Sequence, residues 1–582
     1  MTSDPDYIFI SDTLPSDPRF MPPLANGLLG WRVFDSFMHM DGVYNGEGGT
    51  CHRGNIPCPL AVQVKTAEVG QHTYELDMHT GIFSHTMVAP HFESTQVLYA
   101  HREQSNLLVM EVLLKRFETS AEPITIQLES SFKSQSDDID FQNAPDYKGG
   151  SLFPSPSEEF AFGGVSPGGL SNGSIDEDYH GHVFWDQDTW MYPSVALFYP
   201  SLARAVLKYR VGTVEGARAN AQQMGYKGLK FAWESAVTGH DVCPEDIYAQ
   251  QEIHINGDVV LAFQQYFYLT QDLEMFKEGR GSEVVWGVAD YWVSRVTWDP
   301  LDQQYHIKGV IPPDEDYFTV DNSVFTNAVA QSSLQFAVEL CGLLAQTAPP
   351  EWQDIADKIK IPFNPDLKYH PEFDGYSQGS LVKQADAVLL GYPLALPMTP
   401  EVRRNDLQAY EVVTDPLGPA MTWGMFALGW LELGEPEKAQ KLLQKCFRNI
   451  QKPFQVWSES ADGSGCVNFL TGMGGFLQAV LFGYTGFRVQ KEHLAFAPLL
   501  PQDVDALSVK GVTYLGNKMD WLVTSVEVSV EVRKFGSKEP FALELVLNTG
   551  TTIPLIPGQS VTFLRQPGQI RKLNSGFSCW PV

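Results

Sequence analysis

The sequence predicts a multidomain α+β protein, β-rich at both ends and helical between, and three observations carry that prediction. Short strand-like runs bounded by turn residues fill about 58–131, as in Leu60-Ala61-Val62-Gln63-Val64, Gln96-Val97-Leu98-Tyr99-Ala100 and Ile124-Thr125-Ile126-Gln127-Leu128. Leu202 to Arg210, Val259 to Leu269, Glu283 to Val296, Ser332 to Leu344 and Gly424 to Leu433 then carry apolar residues at helical spacing with no strands between them. Beyond Gly486 strict alternation returns in Ser525-Val526-Glu527-Val528-Ser529-Val530-Glu531-Val532.

Taken in order, residues 1–142 read as an N-terminal antiparallel β-sandwich. Residues 143–175 are rich in Gly, Pro and Ser and read as a linker. Residues 176–485, with repeated amphipathic helices, read as a helical barrel or a solenoid of paired helices. Residues 486–582 read as a small β-domain in which Ile556 to Val582 forms turns and a loose tail. A chain of 582 residues exceeds what one core supports, so several domains are expected.

Forty basic against seventy acidic residues give a net charge of -30, which opposes nucleic acid and anionic membrane as partners. Met1 to Phe20 has no basic stretch followed by an apolar one, and no run of about eighteen apolar residues occurs. Seven scattered cysteines without a C-x-x-C pair fit a reduced, cytoplasmic chain. No nucleotide-binding glycine motif, H-E-x-x-H or EF-hand loop is present, so neither a cofactor nor a metal is expected. Nothing in the sequence speaks to oligomeric state.

The segment Gly181 to Pro193 sets Asp186, Gln187 and Asp188 among Phe184, Trp185, Trp190 and Tyr192. Aromatic faces stack on the C–H faces of a sugar while carboxylates accept its hydroxyls, which suits a neutral polyol. A buried aromatic cluster whose acids cap the next helix is the competing reading. Gly309-Val310-Ile311-Pro312-Pro313 forces a non-helical turn before Asp314 and Glu315, and that turn can present Glu315 into a cavity as a general acid or leave it on a surface loop. Glu459, between Trp457 and a Gly/Ser turn, reads as a base or nucleophile, or as a turn acid bonded to nearby amides. Glu252-Ile253-His254 and Lys383-Gln384-Ala385-Asp386 suit hydroxyl recognition, or are solvated polar faces; Trp233 reads as core.

Together with Tyr44-Asn45-Gly46, Ser166 to Gly173, Phe231 to Ser235, Cys243 to Tyr248 and Asp462 to Gly475, these stretches resemble glycoside hydrolase family 65. The resemblance implies an (α/α)6 barrel flanked by β-domains, with Glu315 as general acid, Glu459 as general base and Trp185, Asp186, Lys383 and Gln384 holding substrate. It implies an inverting hydrolase that releases glucose from α-glucosyl-galactosyl-hydroxylysine units of collagen, a small glycoside or glycopeptide. An inverting pair needs one protonated and one ionised carboxyl about 6.5–9.5 Å apart. A disaccharide phosphorylase of the same fold and an inactive shortened form that binds sugar are the alternatives. Two departures accompany the resemblance: Asp316 follows Glu315 where the family carries Tyr, and Gln142 to Gly173 spans a stretch that is longer in the family.

Overall fold

The computed structural model describes residues 5–117, 123–139, 170–171, 179–533 and 540–573. Most of the expected linker 143–175 lies outside the described residues, as does Cys579.

The N-terminal part is antiparallel. One sheet runs Ile8–Ser11, Gln71–Asp77, Ile82–Val88, Phe92–Ala100, Leu108–Arg116 in spatial order, and a second runs Pro23–Ala25, Leu29–Arg32, Phe37–Met40, Ile56–Pro57. Alternation does the packing: in Phe92–Ala100 every second residue from Phe92 to Leu98 is buried. Leu24 and Trp31 of one sheet meet Leu76, Phe83 and Leu98 of the other, and Phe454 and Val456 from far down the chain complete that core. Of the strand-like run 124–128, only Gln127–Ser130 pairs, against Val62–Lys65.

The five helical expectations are met by Pro200–Gly212, Ile255–Thr270, Gly281–Arg295, Val324–Leu343 and Thr422–Glu432. The helices are layered. Thr422–Glu432 is buried on every side, whereas Pro436–Cys446, which follows after a short turn and packs on it, buries only Ala439, Leu442, Leu443 and Cys446. The second pattern is one face of an outer helix, and the first is an inner helix with apolar neighbours all round.

The last helix, Leu470–Gln478, packs on the π-helical turn Asp186–Met191 at the start of the helical stretch, so its two ends meet. An open solenoid keeps its ends apart. Gly474 permits the contact, because a Cβ there would lie 2.3 Å from the Trp190 carbonyl oxygen. The amide of Gln478 donates to the carbonyls of Thr189 and Trp190 at 3.1 and 2.8 Å, satisfying acceptors inside the π turn.

At the C-terminal end, a sheet of Arg488–Val489, His493–Phe496, Gly568–Lys572, Leu543–Leu547 and Thr552–Leu555 faces a sheet of Ala506–Tyr514, Asn517–Thr524, Glu527–Val532 and Ser560–Leu564. The expectation of loose turns from Ile556 onward is therefore corrected. Ser560–Leu564 and Gly568–Lys572 each complete a sheet, because Phe563 and Ile570 supply buried apolar side chains to the same core. That core is continuous with the one beneath the helices. Leu515 N–H donates to the Leu269 carbonyl at 2.7 Å across the junction.

Candidate active site

All six residues expected to act on substrate line one cavity: Trp185, Asp186, Glu315, Lys383, Gln384 and Glu459. Tyr179, Phe184, Trp233, Pro419, Met421 and Phe469 complete its wall.

The turn that carries Glu315 is zipped to the segment that carries Lys383. Lys383 N–H donates to Asp314 Oδ1 at 3.0 Å, Asp314 N–H donates to Asp386 Oδ2 at 3.1 Å, and the Gln384 amide donates to the Pro313 carbonyl. Lys383 Nζ then bonds Glu315 Oε2. Burial opposes the charge on Lys383, and the carboxylates of Glu315, Glu459 and Glu252 overcome it and hold the ammonium well above its ordinary range. Gln384 thus stands at the cavity wall with its amide nitrogen bonded to the turn before Glu315, and its amide oxygen can still accept a hydrogen bond.

Asp314 is fully buried, and desolvation pushes its carboxyl up to about 7. Asp316, which stands where the family carries Tyr, is exposed, and its charge helps to raise the carboxyl of Asp314.

Glu459 leaves the short strand Val456–Trp457 and is held from both sides. Its Oε2 accepts Cys466 N–H at 2.9 Å and its Oε1 accepts the Tyr179 hydroxyl at 2.8 Å. Both readings of this residue meet here, since it is bonded to a neighbouring amide and faces the cavity. Burial raises its carboxyl above the ordinary range and Glu315 adds to this, while Cys466, Tyr179 and Lys383 pull the other way. Gly465 is required for the geometry: its φ is +70° and a Cβ would meet Glu459 Oε2 at 2.6 Å.

Asp186 and Asp188, two residues apart, divide the two readings of their segment. Asp188 turns inward to a fully buried ion pair with Arg210, whereas Asp186 lines the cavity and accepts the Thr471 hydroxyl. Trp185 packs edge-on against Trp190, His254 and Phe325, which fixes its ring at the cavity floor.

Tyr179 and Trp233 are among the lining residues that sequence reasoning missed, as are Pro419, Met421 and Phe469. Asp178-Tyr179-His180 carries no pattern, and Trp233 was read as core; it is 4% exposed and meets Phe184 and His254 edge-on while lining the cavity. Tyr179 is positioned by the N-terminal part. Tyr44 donates to the Gly181 carbonyl at 2.6 Å and Arg53 N–H to that of His180 at 2.9 Å. His182 bridges Glu234 Oε2 and the Cys51 carbonyl at 2.7 and 2.9 Å. Glu252 and His254, read as a polar pair, are both fully buried behind the cavity.

Among the described residues Asp299, Asp302 and His306 alone have metal-like spacing, and both nitrogens of His306 already face protein partners, Asn322 and Asp302. Six cysteines are free and buried, and no described helix is long and apolar enough to cross a membrane.

Residues 164–380 match the glycosyl hydrolase family 65 central catalytic domain. The chain is 66% identical to a protein-glucosylgalactosylhydroxylysine glucosidase of Danio rerio, over 93% of this chain and the whole of that one. The chain belongs to glycosyl hydrolase family 65. The mouse protein of the same name is 42% identical over 98% of this chain and 99% of its own. The alignment with the Danio rerio protein spans 655 residues, more than the 582 of this chain, so this family 65 member is shortened inside the matched span. In solved structures, a putative kojibiose phosphorylase from human microbiome shares the fold, with TM-score 0.75 and 13% identity over 97% of this chain and 99% of that chain. Trp185, Asp186 and Glu315 fall inside the catalytic-domain match, and Lys383, Gln384 and Glu459 beyond its end.

Proposed function

We propose that this chain is an inverting α-glucosidase that releases glucose from α-glucosyl-galactosyl-hydroxylysine units, on an (α/α)6 barrel over 176–485 between the β-domains 1–142 and 486–582. Glu315 protonates the glycosidic oxygen as that bond breaks, and Glu459 takes a proton from the water that attacks the anomeric carbon from the opposite face. Trp185 and Asp186 hold the glucose, and Lys383 and Gln384 bind its hydroxyls. Neither step uses a cofactor.

The observation that carries this reading is the lining of a single cavity by Glu315 and Glu459 together with an aromatic wall. Phosphorolysis is the competing chemistry, and the charge of the site opposes it. Among the described lining residues the acids are Asp186, Glu315 and Glu459 against one cation, Lys383, which already bonds Glu315. A phosphate entering beside Glu459 meets like charge. The names of the Danio rerio and mouse relatives support the substrate, and an acidic site also suits the free amine of hydroxylysine.

Glu315→Gln and Glu459→Gln test the assignment. Each is expected to lower glucose release on the order of 10²–10⁴-fold with thermal unfolding unchanged. Near-normal release in either variant overturns its role.

A further inference from the structure

Glu252 is fully buried in the short break between the helices Asp246–Gln251 and Ile255–Thr270. Neither of its carboxyl oxygens has a hydrogen-bond donor among the described residues. Among its neighbours the side chain of Glu315 acts on it most strongly, and Lys383 and Glu234 also act on it. Behind it, His254 Nε2 lies 4.0 Å from Glu252 Oε1, and His254 Nδ1 is 2.7 Å from Asp258 Oδ2. The segment is tied to the acid's turn, because Ile311 N–H donates to the Gln251 carbonyl at 3.0 Å and Thr319 donates to the Gln251 side chain at 2.9 Å.

Two carboxylates offer only acceptors, so facing carboxyls are satisfied when one proton lies between them. A general acid paired with an ammonium faces the opposite demand, since the ammonium favours its ionised form. Glu315 meets both neighbours at once.

We propose that Glu252 is a positioning residue that shares one proton with Glu315 and so keeps the catalytic acid charged with a proton despite Lys383. This rests on Glu315 being the acid. In the free site the proton lies in the Glu252–Glu315 pair while Lys383 bonds the other oxygen of Glu315. When a sugar hydroxyl takes Lys383, the proton settles on Glu315. Glu315 O–H then donates to the glycosidic oxygen, the C–O bond breaks, and the leaving alcohol keeps that proton. The attacking water gives its own proton to Glu459. The emptied pair is left with Lys383 as counter-charge; after product leaves, Glu459 gives its proton up to solvent and the pair regains one from solvent.

The groups that set this balance come from every neighbouring element: Lys383 and Glu234 face Glu252 with His254 behind it, and Tyr179, Tyr248 and Glu459 interact with Glu315. Burial comes first and the facing Glu315 carboxyl second in holding Glu252 well above the ordinary carboxylic range.

The test is the pH profile of kcat/KM for Glu252→Gln, measured on α-glucosyl-galactosyl-hydroxylysine and on α-glucosyl fluoride, whose leaving group departs without protonation. The amide fills the same space without sharing a proton, so the alkaline limb for the glycoside moves about one pH unit or more toward acid. Fluoride hydrolysis is retained, and Glu252→Asp returns the limb toward the wild-type position. An unmoved limb, or equal loss on both substrates, overturns the proposal. Activity surviving in Glu315→Gln is a different failure, that of the acid assignment itself.

Discussion

The hydroxyl of Tyr179 donates to Oε1 of Glu459 at 2.8 Å, from a segment pinned by the N-terminal part of the chain. Burial first, and the Glu459 charge second, hold that phenol well above its ordinary range, so it remains a donor. With Cys466 N–H on the other oxygen, the hydroxyl fixes how the carboxylate faces the cavity.

Tyr179→Phe removes that bond and little volume. A hydrogen bond to a charged group is worth about 1.5–3 kcal/mol of stability, so stability is expected to fall by up to that amount, and the loosened carboxylate is expected to lower kcat roughly 10- to 100-fold. Steady-state kinetics with a melting curve checks both parts.

Asp186 and Asp188 separate function from stability. Asp188→Ala strands the buried Arg210 guanidinium and is expected to cost about 3–5 kcal/mol in unfolding. Asp186→Ala is expected to leave unfolding within about 1 kcal/mol of wild type while glucose release falls steeply. Chemical denaturation and turnover of the two variants, side by side, make the comparison.

Asp314 predicts a pH dependence of stability. Its carboxyl rises from 3.8 to about 7 on folding because it is desolvated, so the folded state binds the extra proton between those values. Stability then falls as pH rises from about 4 to about 7 and levels off above. Asp314→Asn, which keeps the acceptor for Lys383 N–H, is expected to flatten that slope and melt higher than wild type at pH 8. Thermal melts across pH 4 to 8 measure it.

The free amine of the aglycone gives a fourth prediction. In an acidic site the ammonium form binds better, so N-acetylation of hydroxylysine is expected to raise KM several-fold, an effect that shrinks with added salt. Equal KM for the two substrates removes the electrostatic part.

Much of this arrangement was legible because the chemistry is local in sequence. Trp185 beside Asp186, the Pro312-Pro313 turn before Glu315, and Glu459 beside a glycine turn each announce an acid or ring held at a surface. What was not legible arises from tertiary contact. Tyr179 gains its role only when Gly181 is clamped by Tyr44, and Glu252 only when the turn of Glu315 folds over it. Asp186 and Asp188 have the same neighbours in sequence and opposite fates, decided by which side of the π turn meets Arg210. The final strands escaped notice because Pro557, Gly558, Pro567 and Gly568 break the alternation, although Phe563 and Ile570 still reach the core.

The most direct test of the account is the anomer of the first product, followed by proton NMR during cleavage of α-glucosyl-galactosyl-hydroxylysine. The account predicts β-glucose first, at a rate independent of phosphate and lost in Glu459→Gln. Initial α-glucose, or glucose 1-phosphate formed in proportion to phosphate, would contradict it.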